Sequence, residues 1–358
     1  MRKYNIGIIG SGAISKAYLD TFTESCSSVL NVRSICSRHF ENAEKKAKEY
    51  NIKAAVLDEM LNDPDIDIVV NLTPVGVHAE IIGKALEHGK NVYSEKTLSV
   101  NVKDAEALIK KAKEKGVSLC CAPDTFLSAG VQTVRRLLNE GAIGSVTGFH
   151  MQMNRNYGEF YEKLPFLLLP DTGGGMDIGP YFLCCLTYLL GSVGKVCGFA
   201  DISRPVRDGK DGGRYNVCSE NRFAAAMVLR NGIPGTLQIN ADNGASEDPA
   251  ILIYGTEGTI KLKAPNKFCK EVCIDTGKGF GEAELDNGVV ELRRGLGVAE
   301  MAVSLEQGMV PMTDAVNALH CLEVIRALYR SSETGRTVGI DSEISEETRR
   351  AFDASLYI

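Results

Sequence analysis

Ile6-Gly7-Ile8-Ile9-Gly10-Ser11-Gly12-Ala13-Ile14-Ser15 is the stretch that decides the fold. Its first four residues form a short apolar strand, and its end opens a helical pattern through Ala17, Leu19 and Phe22. Gly10 and Gly12 make the turn between the two. In such a turn one glycine permits the tight bend and a second lets backbone approach a pyrophosphate. The helix N-terminus then offers N–H donors and the positive end of its dipole. Gly10, Gly12, Ala13 and Ile14 are therefore candidate phosphate contacts. Ser15 stands where a third glycine commonly serves close helix–strand packing, a place a small residue can fill. A merely structural turn is the alternative, and the strand before it with the helix after it favours the dinucleotide.

Outward from this turn the chain alternates. Val29–Cys36 reads as a strand, Glu41–Tyr50 as an amphipathic helix, and the β-branched run from Ile66 to Leu72 as a strand. A helix His78–His88 stops at Gly89, a strand spans Asn91–Ser94, a helix Val102–Lys115 stops at Gly116, and a strand covers Val117–Ala122. This spacing predicts βαβ units and a parallel sheet, a Rossmann domain over residues 1–122. After Pro123 a helix near Ser128–Glu140 leads into a β-rich stretch. Strands are predicted near Val146–Met153, Lys195–Ile202, Phe223–Leu229, Gly235–Ile239, Ala250–Tyr254, Gly258–Leu262 and Cys269–Ile274. Their short Gly-, Asn- and Asp-rich connections favour antiparallel pairing. One helix, about Asp177–Leu190, interrupts them, Ser203–Glu220 reads as a surface excursion, and a last helix covers about Asp314–Ser331. The expected architecture is α/β followed by α+β, with residues 123–358 as a substrate-binding and oligomerisation domain.

Composition removes several function classes. The 358 residues carry Lys+Arg 40 against Asp+Glu 46, so no cationic excess exists to neutralise a nucleic-acid backbone. The longest uncharged stretch, Ile178 to Gly194, is broken by Gly179 and Pro180 and falls short of a bilayer span. The start offers no signal-peptide core, so a soluble cytoplasmic protein is expected. Eleven cysteines include the adjacent pairs Cys120-Cys121 and Cys184-Cys185 in apolar runs, where a thiol acts as a small hydrophobe. No Cys-x-x-Cys or helical histidine pair is present in the sequence, so a reducing compartment and no metal are the expectation.

At the end of the second strand, where NAD enzymes commonly place a carboxylate for the ribose 2′-hydroxyl, the residues are Cys36-Ser37-Arg38-His39. Arg38 can hold a 2′-phosphate through its planar fork, with Ser37 adding a bond, which favours NADP(H) over NAD(H). Alternatively, Arg38 simply ends the strand in solvent. Lys96, after the strand Asn91–Ser94, falls at the carboxyl edge of the sheet, where a nicotinamide would lie. Its neutral amine can accept a hydroxyl proton and its ammonium can stabilise an alkoxide. A solvated loop lysine is the competing reading. Asp177 and Tyr181, four apart, share a helix face.

Four motifs together resemble the Gfo/Idh/MocA oxidoreductase family: the glycine turn, Asn71-Leu72-Thr73-Pro74 followed by His78, Glu95-Lys96-Thr97, and Gly173-Gly174-Gly175-Met176-Asp177-Ile178-Gly179-Pro180-Tyr181. The resemblance spans nearly the whole chain. It implies a Rossmann domain, then a domain with a large, mostly antiparallel sheet. It also implies hydride exchange between a nicotinamide and a carbinol carbon of a sugar, cyclitol or related polyol. Lys96 and Tyr181 become the acid/base pair, Tyr181 standing where many members carry histidine, as in the subgroup of glucose–fructose oxidoreductase and dimeric dihydrodiol dehydrogenase. Asp177 orients Lys96 or the substrate, or caps its helix. Thr73, Pro74, His78 and Glu95 fall beside the cofactor by the same resemblance. Asp124 matches a position that often carries an amide near the nicotinamide. Tyr181 as a core tyrosine and Asn154-Arg155-Asn156-Tyr157 as either a substrate contact or a solvent loop stay open.

The family also implies a homodimer or homotetramer built on the sheet. A non-catalytic dinucleotide-binding regulator on the same fold is the alternative, and an enzyme cycling a tightly held NAD is a further one. One departure stands out: the family's Glu-Lys-Pro, often with a cis peptide, is here Glu95-Lys96-Thr97. A cis bond before a non-proline residue costs ~2.5–4 kcal/mol, so a trans bond, or strain in its place, is expected.

Overall fold

The computed structural model describes residues 2–209, 212–244, 249–286, 293–354 and 357. The chain forms two compact units. Met1–Leu127, Gly288–Leu319 and Ser345–Ile358 make the first, and Ser128–Asn287 with His320–Ile344 the second. A single boundary after Ala122 thus does not describe the division, since two later stretches return to the first unit. Their anchors are buried carboxylates. Asp124 holds the start of the helix Leu296–Glu306, and Glu300 on that helix accepts a 2.6 Å hydrogen bond from Arg350 in the tail.

The first unit is built on strands β1 (Tyr4–Ile9), β2 (Leu30–Cys36), β3 (Lys53–Ala54), β4 (Ile68–Asn71), β5 (Asn91–Ser94) and β6 (Leu119–Cys121). They form a parallel sheet in the order β3-β2-β1-β4-β5-β6. Between them run helices α1 (Ala13–Asp20), α2 (Phe40–Tyr50), α3 (Leu57–Asn62), α4 (His78–Glu87) and α5 (Val102–Lys115). Ile6, Ile8, Ile35, Ile68, Val70 and Val92 are fully buried, as expected where helices cover both faces of a parallel sheet. The order reverses direction at β1, so the carboxyl ends of β1 and β4 border the switch point where such sheets bind ligands. Gly89 and Gly116 both take positive φ, at 67° and 66°, and end α4 and α5 where the sequence predicts.

The second unit contains α6 (Ala129–Asn139), β7 (Val146–Asn154), α7 (Gly158–Lys163), α8 (Gly174–Leu190), β8 (Val193–Asp201), β9 (Val206–Asp208), β10 (Arg214–Asn216), β11 (Arg222–Leu229), β12 (Pro234–Asn240), β13 (Ala250–Gly255), β14 (Thr259–Lys263), β15 (Val272–Asp275) and β16 (Gly281–Glu282). With α9 (Leu296–Glu306) belonging to the first unit, α10 (Ala315–Thr334) and β17 (Val338–Gly339) complete the chain's elements. The nine-stranded sheet runs β16-β15-β14-β13-β7-β12-β11-β8-β17. Its pairs are antiparallel except β7 with β12. One face buries Phe149, Met151, Phe223, Met227, Leu237, Ile239, Ile251, Ile253, Ile260 and Leu262. Within Ser203–Glu220, expected as a surface excursion, β9 and β10 pair as a largely exposed hairpin; Lys210 and Asp211 lie outside the described residues. No helix among the described residues is long and apolar enough to cross a membrane.

Candidate functional site

The phosphate turn carries its own fit test. Gly10 takes φ +113°, and a Cβ there would sit 2.7 Å from the Leu72 carbonyl oxygen, so only glycine fits between β1 and β4. A Cβ on Gly12 would meet open space, which leaves backbone room for a pyrophosphate. Gly12 is also the N-cap of α1, so no side chain caps the helix start that Ala13 and Ile14 open. These features fit a dinucleotide. Ser15 is fully buried and returns its hydroxyl to the Gly12 carbonyl at 2.7 Å, fastening the turn where a third glycine would only have filled space. Ser37, at the end of β2, accepts from the Ser11 hydroxyl at 3.0 Å. Arg38 is exposed, with its guanidinium 3.5 Å from His39 Nε2.

At the end of β4, the fully buried Asn71 accepts from the Thr73 hydroxyl at 2.7 Å and donates to Ser94 at 3.0 Å. Pro74 is exposed and precedes α4. His78 is buried, with Nδ1 2.7 Å from the Thr97 carbonyl and Nε2 2.8 Å from the Thr73 carbonyl. Both partners are acceptors, so a neutral ring can donate to only one of them. Burial holds the His78 pKa below its ordinary value, against the pull of the two carbonyls. His78 thus ties the loop after β4 to the loop after β5.

That second loop holds Glu95 and Lys96. Glu95 is buried; one of its oxygens accepts from the Tyr18 hydroxyl at 2.8 Å and the other from the Lys96 backbone N–H at 3.1 Å. Its own N–H continues the sheet by donating to the Asn71 carbonyl at 2.9 Å. Lys96 is half-buried. The Lys96–Thr97 peptide is cis, which corrects the trans expectation; the Thr97 carbonyl just after it is the one facing His78. Ala122–Pro123 is cis as well.

Asp124, expected beside the cofactor or substrate, also has a structural task. It is fully buried, and its Oδ2 accepts from the backbone N–H groups of Gly295 and Gly297 at 2.9 and 3.0 Å. Desolvation raises its pKa to about 6. An acidic residue at a helix N-terminus is used here to dock α9.

In the second unit, Asp177 and Tyr181 lie on α8. Every residue of that helix is buried except Asp177, which is half-exposed in its first turn. The helix starts at Gly174, three residues earlier than the sequence predicts, and its first turn packs closely at Gly175, where a Cβ would sit 2.6 Å from the Phe223 ring. Tyr181 follows one turn after Asp177 and is buried. Asn154-Arg155-Asn156-Tyr157 is no solvent loop. Arg155 and Tyr157 donate to the carbonyls of Asn240 and Ala241 at 2.9 and 2.8 Å, and Tyr157 is buried. Burial chiefly, and then the charge of Asp177, hold the Tyr157 hydroxyl well above its ordinary pKa. Tyr161 accepts from Asn221 at 3.2 Å and packs under the Arg207 guanidinium, 4.6 Å from its ring, while Arg207 pairs with Asp242. Tyr161, Arg207 and Asp242 are scattered in sequence and carry no motif.

The glycine turn at a parallel-sheet switch point, followed on the same carboxyl edge by Glu95-Lys96, decides the family. The chain belongs to the Gfo/Idh/MocA oxidoreductases. The family's NAD-binding Rossmann-fold profile matches residues 4–122, and the profile of the Gfo/Idh/MocA C-terminal domain matches residues 131–261. The chain is 24% identical over 291 residues to levoglucosan dehydrogenase of Pseudarthrobacter phenanthrenivorans, covering 73% of each chain. It is 21% identical over 332 residues to trans-1,2-dihydrobenzene-1,2-diol dehydrogenase of Oryctolagus cuniculus, covering 89% of this chain and 96% of that one. A solved structure of levoglucosan dehydrogenase with NADH and levoglucosan superposes with a TM-score of 0.83 at 19% identity, over 95% of this chain and 100% of that one, so the fold is shared. The Rossmann domain and the mostly antiparallel C-terminal sheet read from the sequence are those of the family.

Proposed function

We propose that this family member is a dehydrogenase that exchanges hydride with a carbinol or carbonyl carbon of a sugar, cyclitol or related polyol, with NADP(H) preferred over NAD(H). The observation that carries the reading is the placement of Lys96. Glu95 holds its backbone on the same sheet edge as the phosphate turn, where Gly10 and Gly12 leave room for a dinucleotide. The nicotinamide, when bound, supplies the hydride chemistry. As an amine, Lys96 takes the hydroxyl proton during oxidation; as an ammonium it steadies the oxygen and returns the proton during reduction. Tyr181 is the second proton-handling group, and Asp177, the one half-exposed residue of a buried helix, orients Lys96 or a substrate hydroxyl. Gly10, Gly12, Ala13, Ile14, Ser37, Arg38, Thr73 and Pro74 border the dinucleotide, with His78 behind them as a brace. The names of the sugar- and diol-oxidising relatives support the substrate class.

The NADP(H) preference rests on the exposed Arg38 fork and on Ser37, in the absence of a carboxylate at the end of β2. The exposed sheet face supports pairing of two copies, and the mostly buried cysteines a reducing cytoplasm as the compartment.

The test is Lys96→Met, assayed at the nicotinamide absorbance band against a panel of sugars, inositols and sugar acids. Turnover is expected to disappear while dinucleotide binding, read by protein fluorescence, stays intact. Unchanged turnover ends the proposal. A wild-type protein that binds dinucleotide and turns over nothing in the panel points instead to the non-catalytic regulator.

A further inference from the structure

Tyr18 belongs to no motif of the turn, yet it is the side chain that reaches from the dinucleotide helix to the proton-handling loop. It lies on α1 and is fully buried. Its ring is wedged edge-on against Phe22, with centroids 5.8 Å apart, and against Tyr93, at 6.4 Å. Gly295 closes on it from a third direction, where a Cβ would come within 3.0 Å of the ring. A ring packed on three sides holds its hydroxyl in one place. That hydroxyl donates to Glu95 Oε1 at 2.8 Å.

Glu95 completes a chain of contacts. Its second oxygen accepts from the Lys96 N–H at 3.1 Å, and its carbonyl accepts from Ser94 at 3.0 Å and from the Cys121 thiol at 3.6 Å. On the far side of Lys96, the Thr97 carbonyl faces His78 at 2.7 Å. Lys96 is therefore flanked by two fixed residues, and only one of the two is fixed by an element that begins at the phosphate turn. A buried carboxylate needs every donor it has, because an unmet charge in this setting is costly. Burial and the adjacent carboxylate keep the Tyr18 phenol protonated, so it stays a donor at any working pH.

We propose that Tyr18 is a positioning residue for Lys96, acting through Glu95, and that it ties the placement of Lys96 to the helix that receives the dinucleotide phosphates. The inference rests on the proton-handling role proposed for Lys96. When the Tyr18 hydroxyl is removed, Glu95 keeps the Lys96 N–H but loses its strongest donor. Oε1 is then no longer held, and the carboxylate steadies an ammonium beside it less well.

The experiment compares Tyr18→Phe and Glu95→Gln with the wild type in the full chain, reading kcat, KM, dinucleotide affinity and the pH profile of kcat. Tyr18→Phe keeps the packed ring. It is expected to lower kcat on the order of tenfold with dinucleotide affinity and KM nearly unchanged, the effect of one hydrogen bond to a charged group. The limb of the profile that Lys96 governs is expected to move down by ~0.5 pH unit or more. Glu95→Gln is expected to move the same limb in the same direction, and it reads the same link should Tyr18→Phe not fold. An unchanged kcat and profile in both variants, alongside a dead Lys96→Met, overturns the positioning role alone. A uniform fall in kcat and dinucleotide affinity with an unmoved profile overturns it too, since that is a packing effect. A fully active Lys96→Met instead removes the redox reading on which it stands.

Discussion

Arg38 stands at the end of β2 with its guanidinium in solvent, one residue beyond Ser37, which Ser11 of the phosphate turn holds by a 3.0 Å hydrogen bond. An exposed fork beside a fixed hydroxyl is suited to a dianionic phosphate and offers nothing specific to a bare ribose hydroxyl. Arg38→Ala is therefore expected to weaken NADPH binding at least ~10-fold, about 1.4 kcal/mol, and to leave NADH binding within a factor of about two. Fluorescence titration with both cofactors checks it, and equal losses for the two would remove the role. Residues of this kind are legible in sequence because their position relative to a strand end already says what they face. The places of Gly10 after β1 and of Lys96 after β5 were readable for the same reason. The contact of Asp124 with the start of α9 was not legible, because its partners Gly295 and Gly297 lie more than a hundred and fifty residues away in sequence. Tyr18 was hidden in another way, as an apolar-looking position on an amphipathic helix whose hydroxyl has a partner only in three dimensions.

At the scale of elements, capped helices and β-branched strands were predicted to within a few residues because their stops are local: Gly89 and Gly116 adopt left-handed φ and end their helices. The short helices α3 and α7 and the two-residue strands β3, β16 and β17 carry too few residues for a periodicity, and packing alone makes them. β17 illustrates how. It pairs with β8, and the segment after it is locked to α10 by His320, whose Nε2 accepts from the Val193 N–H at 3.0 Å and whose Nδ1 faces Ser342 Oγ at 2.9 Å. That geometry requires the neutral ring, and burial pushes its pKa down from 6.5 to about 4. A base whose folded pKa lies below its unfolded one is protonated first in the unfolded chain, so acidification from pH 6.5 toward 4 costs stability, by roughly 3 kcal/mol for this ring. Asp124 works in the opposite direction, since its raised pKa of about 6 adds stability as pH falls through the same window. The comparison must therefore be made against a variant. His320→Gln can still accept from Val193 and is expected to lose less stability between pH 6.5 and 4.5 than the wild type in urea unfolding. Parallel curves would show that His320 does not titrate with folding.

For the whole molecule, the register of the large sheet sets what it can do with other copies. Cys197, Ala226, Thr236, His150, Leu252, Lys261 and Cys273 lie side by side across seven strands, and the neighbouring row begins Phe199, Ala224, Gln238. These rows occupy the face opposite the buried one. They are made largely of small and uncharged side chains, and Phe199 is 75% exposed. A broad, lightly charged sheet face with a protruding phenylalanine is costly to leave in water and able to meet a second copy of itself about a twofold axis. Burying one phenylalanine contributes on the order of 2 kcal/mol, and a self-complementary contact counts it twice. Phe199→Asp is accordingly expected to shift the protein from dimer or tetramer toward monomer at micromolar concentration in sedimentation velocity, without changing its far-ultraviolet circular dichroism. A wild-type protein that sediments as a monomer at that concentration refutes the pairing. A Phe199→Asp protein that keeps the wild-type assembly places the contact elsewhere, because a buried aspartate pair facing across a twofold axis would not be tolerated there.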